Sequence, residues 1–310
     1  MIFLQIFGMW GKPAINVFTL ITGYFMIKKD LTVKKLLKLT GTTFFYIYLF
    51  YAVFLLSGYW RFSLKDFIKT VLFLPYGVSS AYSSAMIVMM LFMPFINLLA
   101  RNMSKRQYQI LLSLLLIYFT GISTFLHLET FNFVFWMLTI YLLGGYIRLY
   151  PCKWDTLLNG AILTIFSIVL MCGSILVIDI VGPSFGFTNY YYFIVDCNKI
   201  LAVTVSIGIF ILFKNWHCPY NKYINLCAAS TYGILLFHAN TDAMRQLLWK
   251  DIFDVSGHYL SNGFIPYACG VVILVYILGL IFESLRIHLI EKPFFYLLRR
   301  FSWINQPLWK

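Results

Sequence analysis

Apolar residues in this chain come in long unbroken runs rather than in alternation with polar ones. Nine such runs, at roughly 13–27, 41–58, 81–100, 108–125, 131–147, 158–180, 194–213, 224–241 and 264–285, are separated by short polar segments. A helix rises about 1.5 Å per residue, so about 20 apolar residues are needed to cross the hydrocarbon core of a bilayer. Strands of a membrane barrel would instead alternate with a period of two. The pattern therefore predicts an all-α, polytopic helical bundle with about nine transmembrane helices. No repeat and no low-complexity tract interrupts it, so residues 1–310 read as a single membrane-embedded domain.

Composition strengthens that reading. Hydrophobic residues make up 61% of the chain and charged residues only 11%, with a mean hydropathy of +0.81. A soluble domain carries roughly 25% charged residues, and this chain lacks the polar surface to cover itself in water. The net charge of +13 does not point to nucleic acid, because the basic residues form no continuous stripe interleaved with aromatics.

They orient the bundle instead. Lys28, Lys29, Lys34, Lys35 and Lys38 follow the first run; Arg101, Lys105 and Arg106 follow the third; Arg148 and Lys153 follow the fifth. Lys214 and Lys222 follow the seventh, and Arg286, Lys292, Arg299, Arg300 and Lys310 close the chain. These segments hold 17 of the 24 lysines and arginines. Cytoplasmic loops carry the excess of basic residues, so the expectation is a multi-pass plasma-membrane protein with a cytoplasmic C-terminus. An odd number of spans then puts the start of the first one outside. A further helix ahead of Met1, entering from the cytoplasm, is expected to resolve that geometry. Met1 to Trp10 has neither the basic segment nor the small-residue cleavage site of a signal peptide.

Candidate chemistry is sparse. The six cysteines show no C-x-x-C pair and no metal-ligand spacing, and read as small apolar residues, so no metal is expected. Asp196 and Lys199 sit one turn apart in the seventh run, where they could neutralise each other. Trp10, Trp60, Trp136, Trp216, Trp249 and Trp303 fall near predicted interfaces, as an aromatic belt does. Thr22, Gly23 and Tyr24 end the first run; a glycine there fits close helix packing or room for a ligand. The lysines that follow fit anionic headgroups or the phosphates of a cytosolic cofactor. His238 lies at the end of the eighth run, followed by Asn240, Asp242, Arg245 and Trp249. Ionisable groups at membrane depth tend to mark function, although an interfacial histidine with an ordinary hydrogen bond also fits. If the helix continues, Asp242 falls on the face of His238 and could orient its ring.

Four segments carry a resemblance. Ile15 to Phe25 (INVFTLITGYF), followed by Lys34, Lys35 and Lys38, resembles the signature and basic stretch of the acyltransferase-3 family. Phe92 to Asn97 (FMPFIN), Trp136 to Arg148 (WMLTIYLLGGYIR) and Ser230 to Asn240 (STYGILLFHAN), with Arg245 and Trp249 downstream, resemble further family segments in the same order. The resemblance implies a ten-helix membrane enzyme that binds no cofactor permanently. It would move an acyl group, often acetyl from acetyl-CoA, to a hydroxyl of a glycan at the outer face. Relatives with these motifs look like bacterial capsule or exopolysaccharide O-acetyltransferases of the cell envelope. By this reading Thr22, Gly23, Tyr24, Trp136, Asn240, Arg245 and Trp249 meet substrate, Lys34, Lys35 and Lys38 hold the acyl-CoA donor, and His238 is the candidate catalytic base. The family's usual Arg and His belong to the helix expected before Met1. At Tyr82 to Ser84 the sequence departs from the aromatic pair many relatives carry. A catalytically inactive remnant and a transporter of a lipid-linked sugar are the competing expectations.

Overall fold

The computed structural model describes residues 2–77 and 81–309; Met1 and Lys310, which enter the sequence arguments above, lie outside the described residues. Each predicted span overlaps a helix: α1 (Gly11–Met26), α2 (Val33–Leu56), α3 (Tyr82–Asn102), α4 (Lys105–Phe125), α5 (Phe133–Leu149), α6 (Leu157–Val181), α7 (Ile200–Asn215), α8 (Lys222–Ala239) and α9 (Phe264–Arg286). Five of them, α2, α3, α4, α6 and α9, are long and apolar enough to cross a membrane by themselves, and α5 and α7 are shorter apolar helices. No strand forms among the described residues. This is a polytopic helical membrane protein.

Local sequence sets where many helices begin. Ser104 accepts from the Gln107 amide while the Gln107 side chain accepts from the Ser104 amide, closing a capping box ahead of α4. Thr32, Asn132, Thr156 and Asn221 supply the side-chain acceptors at the starts of α2, α5, α6 and α8.

The chain divides into two compact units, Met1–Leu31 with Val78–Cys218, and Thr32–Gly77 with Pro219–Lys310. In the first unit α1 packs on α5 and α7, α6 packs on α7, and α5 also meets α3 and α4. The α1–α5 crossing is backbone against backbone. A Cβ on Gly23 would lie 2.1 Å from the carbonyl oxygen of Tyr141, and one on Gly144 would lie 2.3 Å from that of Leu20. Small residues let helices approach this closely in lipid, where dispersion rather than water expulsion drives association.

Buried polar side chains then lock the crossing. Asn16 donates to the Cys197 carbonyl at 2.7 Å and accepts from the Trp136 indole at 3.0 Å. Tyr141 donates to Asn97 at 2.6 Å, and Asn97 in turn donates to the carbonyls of Met26 and Lys29. With Arg101, which donates to the Ile27 carbonyl at 2.7 Å, it satisfies the orphan carbonyls that end α1.

Two sequence expectations are corrected in this unit. Lys199 does not pair with Asp196 inside a helix, because α7 starts only at Ile200. Asp196 pairs instead with Lys12 at 3.1 Å. Lys199 donates to the carbonyl and hydroxyl of Ser123, just after the π-helical turn Ile117–Ile122 of α4. A π-turn frees carbonyls from the regular ladder. Asn198 takes that of Phe119 at 2.7 Å and Tyr192 that of Thr124 at 2.6 Å. The second correction concerns Trp136, which is fully buried in the crossing rather than in an interfacial belt, because its indole N–H has found Asn16. Trp10, Trp216 and Trp303 do remain exposed.

In the second unit, α8 packs on α9 and on α2. Phe45, Tyr46 and Phe50 of α2 meet Phe237 and Phe282 in an aromatic cluster. Beside it lies a set of charges, with Glu283 and Arg286 buried and Lys38 at the exposed edge. Arg286 holds Glu283 through two bonds of 2.7 and 2.8 Å and reaches Glu291 at 2.6 Å, while Lys38 pairs with Glu291 at 2.7 Å and Tyr46 donates to Glu283 at 2.9 Å. Two cations face two carboxylates, so the set is neutral. A Cβ on Gly233 would lie 2.1 Å from the Glu283 carboxyl carbon, so that glycine makes the room for the acid.

Candidate functional site

Among the predicted site residues, His238, Asn240, Arg245 and Trp249 fall together in the second unit. His238 sits in the last turn of α8, half-buried, with Nδ1 2.7 Å from the Ile234 carbonyl oxygen. A carbonyl can only accept, so Nδ1 carries the proton and Nε2 of the neutral ring keeps its lone pair. That is the tautomer a general base requires. The Trp249 ring stands 6.4 Å away, nearly perpendicular to the imidazole, on the π-helical turn Leu247–Ile252. Such turns recur at functional sites.

Asp242 does not orient the imidazole. α8 stops at Ala239, and Thr241 caps a new short helix, Asp242–Gln246, so the regular four-residue spacing is lost. Asp242 pairs with Arg245 at 2.8 Å, and Arg245 also donates to the Ala239 carbonyl at 3.1 Å. Arg245 thereby staples the break between the two helices. The amide nitrogen of Asn240, two residues past His238, is buried and has no hydrogen-bond partner. A buried unpaired donor is costly and rare in a folded protein. The arrangement thus presents a proton acceptor on His238 and an unspent donor on Asn240 where α8 ends.

The predicted donor lysines stand at the start of α2 in the same unit. Lys34 lies 5.7 Å from the centre of the Phe295 ring, the Lys35 amide binds the capping Thr32, and Lys38 is held by Glu291. Neither Glu283 nor Glu291 is named as a candidate from the sequence, and Arg286 enters only in the basic C-terminal segment. The available signal was an acid inside the apolar run of α9, with an arginine three residues on.

The remaining predicted residues lie in the first unit. Gly23 and Trp136 are packed in the α1–α5 crossing. The Thr22 hydroxyl donates back to the Phe18 carbonyl at 2.9 Å. Tyr24 lines a cavity, where its hydroxyl accepts from Arg148 at 3.0 Å. Among the described residues no three His, Cys, Asp or Glu side chains converge as a metal site would require.

Five helices long and apolar enough to cross a bilayer, with two shorter apolar ones, define a membrane-embedded helical protein. The chain matches the acyltransferase-3 family, described as an acyltransferase domain, over residues 1–284. It belongs to that family, and acyl transfer is the activity the family domain denotes. No curated protein and no solved structure matches the chain.

Proposed function

We propose that this chain transfers an acyl group, with acetyl as the test case, from a cytosolic acyl-CoA to a hydroxyl of a cell-surface glycan. Two observations support the site: Nδ1 of His238 is engaged by the Ile234 carbonyl, which leaves the lone pair on Nε2, and the buried amide of Asn240, two residues on, has no partner. In this reading Nε2 takes the proton of the acceptor hydroxyl as its oxygen attacks the thioester carbonyl. The Asn240 amide N–H stabilises the tetrahedral oxyanion. Collapse breaks the carbon–sulfur bond, and the proton on His238 passes to the departing CoA thiolate. Lys34 and Lys35 supply positive charge for the donor phosphates. Trp249 offers the acceptor sugar an aromatic face beside the base.

The experiment is transfer of labelled acetate from acetyl-CoA to envelope polysaccharide in membranes expressing the full chain. His238→Ala is expected to lower turnover about 100-fold or more, the scale of a lost general base. Asn240→Ala is expected to lower it about tenfold or more. Wild-type rates in both variants would remove these two residues from the chemistry and leave the family assignment standing. No alkali-labile acetate on polysaccharide, even with the wild-type chain, would overturn the donor and acceptor proposed.

The proposed orientation has its own test. Cys152 and Cys218 are exposed and lie in segments assigned to the cytoplasm, whereas Cys197 is buried in the loop before α7. Its burial shields that thiol from an aqueous reagent. A membrane-impermeant maleimide is expected to spare all three in intact cells. In inside-out vesicles it should label Cys152 and Cys218, and Cys197 should react only after denaturation. Labelling of Cys152 or Cys218 from outside would invert the topology.

A further inference from the structure

A cavity of about 660 Å³ opens between α1 and α7 in the first unit. That volume falls within the roughly 300–1,000 Å³ typical of small-molecule sites. Val17, Ile21 and Phe25 form one wall and Phe210 and Phe213 the other, so its length is apolar. One end is not. There the Tyr24 ring lies 4.9 Å from the Arg148 guanidinium carbon and 5.7 Å from the Lys214 ammonium. Lys214 is paired with Asp155. Arg148 donates to the Tyr24 hydroxyl at 3.0 Å, and no carboxylate pairs with it among the described residues.

The two lysine and arginine charges minus one aspartate leave a single positive charge at the mouth of an alkyl-lined groove. We infer that this groove is a binding site for a monoanionic phospholipid, with one acyl chain between α1 and α7 and its phosphate on Arg148. A guanidinium has five N–H donors in a planar fork, and Tyr24 uses one of them. The rest suit two phosphate oxygens. Tyr24, with both cations near its ring and its hydroxyl on Arg148, fixes the guanidinium in place. Phospholipid is the occupant because the walls are apolar helices whose solvent is the bilayer, where lipid is present in large excess. A nucleotide thioester carries several negative charges, which one unpaired cation matches poorly. The inference is independent of the catalytic roles proposed for His238 and Asn240.

The test is native mass spectrometry of the full chain in detergent, titrated with dioleoyl-phosphatidylglycerol or dioleoyl-phosphatidylcholine. One phosphatidylglycerol is expected to bind at least tenfold more tightly than phosphatidylcholine. Arg148→Gln should abolish that preference, and Arg148→Lys should keep part of it. Ile21→Trp, which fills the groove without touching a charge, should weaken both lipids. Equal binding of the two lipids to wild type, or an undiminished preference in Arg148→Gln, would overturn the site. Displacement of phosphatidylglycerol by palmitoyl-CoA or palmitate at lower concentrations than phosphatidylglycerol itself would overturn the occupant.

Discussion

Gly23→Ala is expected to destabilise the first unit by about 3 kcal/mol, the upper end of the usual cost of overpacking. The added carbon would fall 2.1 Å from the Tyr141 carbonyl oxygen, which belongs to a helix backbone and cannot rotate away. α1 and α5 must then separate, and separation strains every bond that depends on their register. Asn16 would draw away from the Trp136 indole, and the Tyr141 hydroxyl would shift against Asn97. Gly144→Ala meets the same barrier from the other helix, with Leu20 as the obstruction. Gly173→Ala is the control. Its Cβ would meet nothing within 4 Å on α6, and alanine is about 1 kcal/mol better than glycine inside a helix. Thermal unfolding of the detergent-solubilised chain separates the cases. Equal midpoints for Gly23→Ala and Gly173→Ala would mean that the crossing tolerates a side chain and is not as close as described.

Arg286→Met is expected to cost about 3–5 kcal/mol, because it leaves a buried acid without its counter-charge. Glu283 is 2% exposed and receives two of its three hydrogen bonds from Arg286. Only the Tyr46 hydroxyl would remain to it. Glu291 would keep Lys38, so the damage should centre on Glu283 and on the packing of α8 at Gly233. Replacing both members is a different matter. Glu283→Gln with Arg286→Met removes both charges, and a neutralised buried pair is often near-neutral in stability. The double variant is therefore expected to recover a large part of the loss, measured as the yield of monodisperse protein and its melting temperature. A double variant worse than the sum of the singles would mean that this network does not act as an ion pair. Neither residue has a part in the proposed transfer, so their loss should appear as lost protein rather than as lost turnover per folded molecule.

Three of the four segments that carry the family resemblance meet at one place. Asn16 and Gly23 come from the first, Asn97 from the second, and Trp136, Tyr141 and Gly144 from the third. From the sequence, Gly23 and Trp136 invited a reading as substrate contacts. In the fold they hold α1, α3 and α5 together, and Tyr24 with Arg148 forms the edge of the cavity beside them. The fourth segment divides its labour similarly. Gly233 makes space for Glu283, and His238 at the end of the same helix offers a free ring nitrogen.

The positions of the helices were determined by the sequence alone. In lipid each backbone N–H and C=O must be satisfied within its own segment, so an apolar run of sufficient length becomes a helix whatever surrounds it. Each of the nine runs holds a helix, although the seventh becomes helical only from Ile200. The caps at Ser104, Asn132, Thr156 and Asn221 are equally local. The polar partners were not of that kind. Hydropathy measures the cost of placing a side chain in hydrocarbon and carries no information about which group will offset it. Asp196 chose Lys12, 184 residues away, over a lysine three residues on. Glu283 is held by Tyr46, 237 residues away, as well as by its neighbour Arg286. Asp242 lost His238 because α8 ended one turn too soon, a break set by Thr241 capping the next helix. Those choices depend on which helix faces pack together, and packing among helices of similar hydrophobicity is decided by shape, by glycines such as Gly23 and Gly144, and so only in the tertiary structure.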